Sequence, residues 1–332
     1  MSIKTVLITG GAGFIGSNLA LKLLREGYRV IVMDDLSRST TENIRPCYNY
    51  GANFYFVKAS VLDPEAVDKA VRNVDYVFHL AAQVHWEESI DDPMPSFKIN
   101  AMGTLNVLEA MRRHQTAKSP VKLLLYASSS EVYGTGQYVP MDEKHPFNPQ
   151  SPYAAGKAAA DRLCSAYHHV YKVPVVILRQ FNTFGPGQRL KGYSAVVPKF
   201  ISQAFNGTPP TIFGSGEQTK DFHYIDDLLL AYELILQHVE DPVIFGETLN
   251  FGTGVETSIN TLAKTIVDAV VAVTGRPTAD LTPVHLPPRP GEVMRLHADI
   301  SKAKKLLGFK PEWSLKDGIT EYVKWFQREG RK

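Results

Sequence analysis

The chain has 332 residues, 44% of them hydrophobic, and a formal net charge of +2. That length supports one large domain or two smaller ones around a sizeable core, and the charge balance, with no dense Lys/Arg tract, argues against nucleic acid as a partner. Two cysteines, Cys47 and Cys164, are too few for a disulfide framework and predict a reducing compartment. No apolar run reaches the roughly 18 residues that span a membrane. The N-terminus enters a strand pattern directly, so a cytoplasmic chain without a signal peptide is expected. Asn206-Gly207-Thr208 is a formal glycosylation sequon that in such a chain is simply a loop, and no metal is expected.

Strand patterns are predicted at 4–9, 29–33, 53–57, 75–80, 121–127 and 173–178, with helical patterns near 14–26, 64–72, 98–114 and 152–171. Alternation of this kind predicts an α/β fold, a Rossmann-type doubly wound parallel sheet with right-handed crossovers. Beyond residue 180 the texture changes. Glycine, proline and aromatic residues concentrate in 181–193 and 207–224; 226–237, 299–308 and 315–328 read as helices, and 283–290 as a loop. The expected division is a dinucleotide-binding domain over 1–180 with re-entry at 226–252, and a smaller α/β substrate domain over 181–225 and 253–332. The second would close over the C-terminal ends of the strands, where ligands bind in open α/β sheets.

The first strand ends in Leu7-Ile8-Thr9-Gly10-Gly11-Ala12-Gly13-Phe14-Ile15-Gly16. Glycines at 10, 13 and 16 allow a tight turn, close approach of the backbone to a pyrophosphate and close packing of helix on strand, while the helix N-terminus attracts phosphate charge. Arg29-Val30-Ile31-Val32-Met33 then ends in Asp34. A carboxylate at that distance accepts both ribose hydroxyls of NAD and repels a 2′-phosphate. The glycine run alone is consistent with a plain turn; strand, helix and acid together predict a bound NAD.

Ser151-Pro152-Tyr153-Ala154-Ala155-Gly156-Lys157 places a proline suited to a first helical turn before Tyr153 and Lys157. Spacing of four puts both side chains on one helix face. A phenol is a poor base near neutral pH, but a neighbouring ammonium favours the tyrosinate and lets it take a hydroxyl proton. An ordinary surface helix yields the same pair by chance. The predicted strand 121–127 runs into Ser128-Ser129-Ser130-Glu131-Val132-Tyr133-Gly134, which reads either as a polar turn or as a hydroxyl-binding site. Joined to Tyr153 and Lys157 it makes a Ser/Tyr/Lys set.

These motifs, with His79-Leu80-Ala81-Ala82, Asn100, Gly103-Thr104, Arg179 through Gly187, Gly214 through Phe222 and Arg289-Pro290-Gly291-Glu292, resemble the extended short-chain dehydrogenase/reductases of the nucleotide-sugar epimerase and dehydratase group over nearly the whole chain. The resemblance implies that Tyr153 is the base toward the sugar 4-hydroxyl, that Ser129 shares that proton, and that Lys157 holds the nicotinamide ribose. It implies a cofactor site lined by Gly10, Gly13, Phe14, Ile15, Gly16, Asp34, Asp35, Ser60, Val61, Leu80, Ala81, Ala82, Asn100, Tyr153 and Lys157. For a nucleotide-diphosphate sugar it implies His85, Ser129, Asn182, Val197, Lys220 and Arg289, the two cations facing the diphosphate and Asn182 either the diphosphate or the sugar. Asp226 reads as a helix cap. It also implies a homodimer formed through the helices near 98–114 and 152–171.

The chain departs from that pattern in places. Ser60 stands where relatives carry an acid near the adenine, and Lys220 replaces an arginine and loses its bidentate fork. His85 is either a packed or capping histidine or a catalytic one. Glu131 decides the ranking of reactions: in the groups it resembles, simple 4-epimerases usually have a small or hydroxyl residue before Val-Tyr-Gly, whereas dehydratases and some decarboxylases have Glu, which in dehydratases resembles the base toward C5. Ser130 then stands where glucose-type dehydratases place an acid for the leaving hydroxyl. The expected activity is a 4,6-dehydratase that oxidises C4, eliminates water across C5/C6 and returns the hydride to C6. A 4-epimerase follows, then a uronic-acid decarboxylase or a non-catalytic NAD-binding protein.

Overall fold

The computed structural model describes residues 3–115, 120–188, 195–275, 281–289 and 292–329. Residues 189–193 of the glycine- and proline-rich stretch, and Pro290 and Gly291, lie outside the described residues. In chain order the elements are β1 (Thr5–Thr9), α1 (Phe14–Arg25), β2 (Arg29–Asp34), a 3-10 segment over Thr41–Asn53, β3 (Phe54–Lys58), α2 (Pro64–Val71) and β4 (Tyr76–His79). Two short helices follow, α3 (Trp86–Asp91) and α4 (Pro93–Phe97), then a π turn over Lys98–Met102 leading into α5 (Gly103–His114), β5 (Leu123–Ala127), α6 (Pro152–Tyr171) and β6 (Val175–Gln180). The rest comprises β7 (Asn182–Phe184), α7 (Val196–Phe205), β8 (Thr211–Phe213), β9 (Thr219–Lys220), β10 (Phe222–Tyr224), α8 (Ile225–Gln237), β11 (Thr248–Phe251), β12 (Thr257–Ser258), α9 (Ile259–Thr274), β13 (Val284–Leu286), α10 (Ser301–Leu307) and α11 (Leu315–Glu329).

Seven strands form one sheet in the order β11-β6-β5-β4-β1-β2-β3. From β3 to β6 the neighbours pair in parallel, as strands fed by helical crossovers must. β4 and β5 are buried along their whole length, which explains why they are apolar up to His79 at the end of β4. Register aligns the strand ends: Thr9 stands opposite both Met33 and His79, and His79 opposite Tyr126. One edge of the sheet therefore collects the glycine turn, Asp34, Leu80–Ala82 and the serines after β5. The direction of strand order reverses between β1 and β4, the place where such sheets open a crevice.

Helix starts follow local chemistry. Asp63 accepts from Glu65 N and Ala66 N at the head of α2, and Ser151 accepts from Ala154 N at the head of α6, each with proline in the first turn. α1 begins at Gly13 with no side-chain cap, which leaves its first N–H groups for an outside acceptor. Val107, Leu108 and Met111 of α5 and Ala160 and Cys164 of α6 bury against Leu7, Val77, Leu124 and Ile177 of the sheet.

By packing, the residues up to Val132, Pro149–Arg179 and Tyr232–Leu249 make one unit, and Tyr133–Asn148, Gln180–Ala231 and Asn250 onward a second. Residues 133–148 join the second unit through side chains that carry no periodic signal. Tyr133 Oη donates to Asn250 Oδ1 at 2.7 Å, Asn250 Nδ2 donates to the Met141 carbonyl at 2.9 Å, and Met141 bridges to Ala298. The second unit also holds the strand pairs β7–β10, β9–β12 and β8–β13. Among the described residues no helix is long and apolar enough to cross a membrane.

A buried chain of hydrogen bonds ties β1, β4 and α5 together. Thr104 gives its single hydroxyl proton to the Asn100 carbonyl at 2.6 Å, so His79 Nε2 carries a proton and donates to Thr104 Oγ1 at 3.0 Å. His79 Nδ1 then accepts from Thr9 Oγ1 at 2.7 Å. Burial holds this imidazole neutral, with its pKa lowered to about 3, and the Lys157 ammonium adds to the shift. In the second unit burial also drives His223 down to about 3. Unfolding returns both to an ordinary value of about 6.5. The unfolded chain therefore binds more protons below that pH, and stability falls on acidification by about 1.4 kcal/mol per pH unit per histidine. Denaturant midpoints measured from pH 7.5 down to pH 5 should hold to about pH 6.5 and fall below it, and His223→Gln should make the fall shallower. Midpoints that stay level across the range would contradict the neutral assignment.

Candidate active site

Each glycine of the first turn has its own reason. Gly10 has φ +68°, and a Cβ there would lie 2.7 Å from the Ala81 backbone. A Cβ on Gly16 would lie 2.5 Å from the Gly10 carbonyl oxygen and 2.6 Å from Gly11 Cα. A Cβ on Gly13 would meet only the Gly10 oxygen, at 3.2 Å, so beyond that contact it faces open space. This hollow lies at the uncapped start of α1, where Phe14 and Ile15 are half-buried, and it is shaped for an anion at a helix N-terminus.

Asp34 borders the hollow. Its Oδ2 accepts from Ala12 N at 3.0 Å, and its Oδ1 from Leu36 N at 2.9 Å and Ser39 Oγ at 2.7 Å. Three donors fix the plane of the carboxylate, and ionised oxygens retain capacity for a pair of hydroxyls. Asp35 closes its own loop by accepting from Ser37 N and Oγ. Ser60 Oγ accepts from Leu62 N at 3.3 Å. Val61 is buried, and a Cβ on Gly103 would lie 2.6 Å from its Cγ2. Leu80 N donates to the Thr9 carbonyl, and Ala81 N to Thr9 Oγ1, which holds the Leu80-Ala81-Ala82 backbone along the sheet edge. Asn100 braces that loop: Gln83 N donates to its Oδ1 at 3.0 Å, and its Nδ2 donates to the Gln83 carbonyl at 3.1 Å. The hollow, the helix start and the fixed carboxylate fit a dinucleotide with free ribose hydroxyls.

At the end of β5, Ser129 and Ser130 are buried and lead into a 3-10 turn over Ser130–Tyr133 that carries half-buried Glu131. Ser129 Oγ accepts from Glu131 N at 3.2 Å. Tyr153 sits in the first turn of α6, and its backbone N donates to Ser89 Oγ at 3.2 Å. One turn later, buried Lys157 donates from Nζ to the Ala127 carbonyl at 2.5 Å and stands 4.8 Å from the centre of the Tyr126 ring. Lys157 thus joins the helix of Tyr153 to the strand end of Ser129 and Glu131. Burial lowers its pKa to about 8, against the pull of Cys164 and Asp161. His85 is buried at the start of α3 and makes no side-chain cap; its Nδ1 lies 4.0 Å from Glu88 Oε1.

The second unit carries the remaining predicted residues. Asn182 N and Nδ2 both donate to the Asp221 carbonyl, at 3.0 and 3.3 Å. Half-buried Lys220 lies on β9, while Val197 is buried in α7. The Arg289 guanidinium stands 3.6 Å from the centre of the Phe213 ring, and Lys199 Nζ 5.0 Å from it. The sequence reading missed Phe213 and Lys199; the available signal was an aromatic closing a short apolar run just before the Gly214 turn. It also missed Asp161, although four residues past Lys157 is the spacing that stacks side chains on one helix face.

Fold and site together define an extended short-chain dehydrogenase/reductase. The chain matches the GDP-mannose 4,6 dehydratase family model over residues 7–322 and belongs to that family. It is 35% identical to the UDP-glucose 4-epimerase of Mycolicibacterium smegmatis, over 98% of this chain and 99% of that protein. To the dTDP-glucose 4,6-dehydratase of Streptomyces niveus it is 32% identical, over 97% and 92%. The crystal structure of a UDP-glucuronic acid 4-epimerase from Bacillus cereus, in complex with UDP-glucuronic acid and NAD, superposes with a TM-score of 0.86 at 32% identity, covering 98% of this chain and 99% of that one.

The different surroundings of the glycines give a paired test. Gly16→Ala should destabilise the fold by about 1–3 kcal/mol through overpacking, seen as a lower thermal midpoint. Gly13→Ala should keep most of the stability and lose dinucleotide affinity in a fluorescence titration. Gly13→Ala binding NAD like the parent chain would contradict the hollow as the pyrophosphate site.

Proposed function

We propose that the chain is an NAD-dependent nucleotide-sugar 4,6-dehydratase, with the first unit holding NAD and the second the nucleotide-diphosphate sugar. The observation that carries this reading is Glu131, held in a tight turn two residues from Ser129 at the strand end that Lys157 grips. When bound, NAD supplies reversible acceptance of the hydride from sugar C4. Tyr153 takes the 4-hydroxyl proton, Ser129 hydrogen-bonds the same oxygen, and the Lys157 ammonium favours the tyrosinate. A ketone at C4 acidifies the C5 hydrogen, Glu131 removes it as a proton, and the Ser130 hydroxyl, beside Glu131 in the chain, relays that proton to the departing 6-hydroxyl so that water leaves. The hydride then returns to C6, and C5 takes a proton from solvent through Glu131. Lys220 and Arg289 supply positive charge for the diphosphate.

A 4-epimerase is the second reading, favoured by the likeness to the M. smegmatis and B. cereus epimerases. It needs Ser129, Tyr153 and Lys157 and leaves Glu131 without a chemical task. Either reading goes with a homodimer. Exposed Met102 in the π turn and Val170 and Tyr171 at the end of α6 support a helical face that a second copy covers, and Met102→Glu with Val170→Glu should shift the sedimentation coefficient from dimer to monomer. Buried, unpaired Cys47 and Cys164 agree with a cytoplasmic location.

Mass analysis after incubation with UDP-, GDP- and dTDP-hexoses separates the readings. Loss of one water marks the dehydratase, and an unchanged mass with altered stereochemistry the epimerase. Tyr153→Phe should cut turnover by about 100-fold or more, the scale of a lost general base. Glu131→Gln should abolish water loss and still permit reduction of bound NAD. If Glu131→Gln retained full turnover, the dehydratase assignment would be wrong.

A further inference from the structure

Behind the turn that carries Ser129 lies a buried ion pair that the mechanism above does not use. Asp161, one helical turn beyond Lys157, is 0% exposed, and Arg179 on β6 is 2% exposed. Arg179 grips the carboxylate with two donors, Nε to Oδ2 at 2.9 Å and Nη2 to Oδ1 at 3.1 Å. Ser128 Oγ donates to the same Oδ2 at 2.7 Å. Arg162 also donates to Oδ1 from its half-exposed position on the helix. A buried ion pair is weak evidence for stability, because apolar side chains of similar volume do as well or better. What this pair supplies is a joint of fixed geometry among β5, β6 and α6.

The joint lies next to the reacting groups. α6 holds the end of β5 at two successive residues, Lys157 on the Ala127 carbonyl and Asp161 on the Ser128 hydroxyl. Ser129 is the next residue, and Tyr153 stands one turn before Lys157 on the same helix. We propose that Asp161, backed by Arg179, is a positioning residue that fixes Ser129 against the Tyr153–Lys157 helix and supplies the buried counter-charge for the Lys157 ammonium. This inference rests on Ser129, Tyr153 and Lys157 being the catalytic set.

The groups around Lys157 support the second role. Cys164 and Asp161 face it from its own helix, Tyr126 from β5 and His79 from β4; Tyr153 shares its helix and Arg179 lies behind Asp161. Burial pushes the Cys164 thiol and the Tyr126 phenol up and holds His79 neutral. Near neutral pH the anion of that group is therefore Asp161. Removing its charge takes away that attraction and disfavours the ammonium.

The test uses the full-length chain with carbon-13 label in its lysines and follows the Lys157 side-chain resonance against pH. In Asp161→Asn the midpoint should fall by about one pH unit. The double variant Asp161→Asn/Arg179→Met, which strands no buried charge, should show a smaller fall and serves if the single variant does not fold. Ser128→Ala keeps every charge, so its Lys157 midpoint should stay in place while kcat falls about 10- to 100-fold, the scale of a misplaced catalytic group, with KM little changed. An unmoved Lys157 midpoint in the aspartate variants, or parental kcat in Ser128→Ala, overturns the proposal. If the parent chain turned over no nucleotide sugar, the functional reading would fail, and the lysine titration would still decide the role of Asp161.

Discussion

At the end of β1 the Gly10 backbone comes so close to Ala81 that a Cβ would lie 2.7 Å away, and much of the first unit is arranged to keep that approach. The Thr9–His79–Thr104 chain holds β1, β4 and α5 in one register with a neutral imidazole at its centre. Thr9 also receives Leu80 N and Ala81 N. Asn100 clamps the next residues through Gln83, and further along Ser89 receives the backbone N of Tyr153. The turn proposed to cradle a pyrophosphate is thereby linked to the helix that carries the proposed base by contacts between backbone atoms and short polar side chains. Such links have little rotamer freedom to lose and hold position well.

The chemistry then turns on what is charged inside this frame. His79 is neutral because it is buried and its two nitrogens serve one donor and one acceptor. Lys157 is buried as well, and its ammonium is disfavoured by that burial, so its protonation depends on what surrounds it. Glu131 adds a carboxylate that proton exchange at a hydroxyl does not require. On the proposed reading, that one side chain separates a reaction that only inverts C4 from one that goes on to break the bond at C6; relatives named for both activities match this chain at similar identity.

The parallel sheet was legible in the chain because strand-like and helix-like segments alternate, and because strands buried on both faces are mostly apolar, as β5 and all of β4 but its last residue, His79, are. The glycine turn, Asp34 and the Tyr153–Lys157 spacing were legible because each satisfies a local rule. Short helices such as α3 and α4, and the π turn at Lys98–Met102, were not: they span one or two turns and leave no period to read. α7 and α9 escaped notice because they lie among glycine- and proline-rich loops that masked their apolar faces. The union of 133–148 with the second unit depends on single contacts of Tyr133, Met141 and Asn250, which no window of sequence displays. Asp161 was passed over and Arg179 entered only as the first residue of a motif, because charged residues are almost never fully buried unless paired, and their pairing is evident only in three dimensions.

The central claim is that NAD is reduced and reoxidised within a single turnover at the strand end shared by Ser129, Glu131 and Lys157. A nucleotide hexose carrying deuterium at C4 tests it most directly, with product analysed by NMR and mass spectrometry in the absence of added NAD. The account predicts that the product keeps the deuterium, moved to C6 by a dehydratase. Deuterium lost from the sugar and accumulating in free reduced cofactor would contradict it.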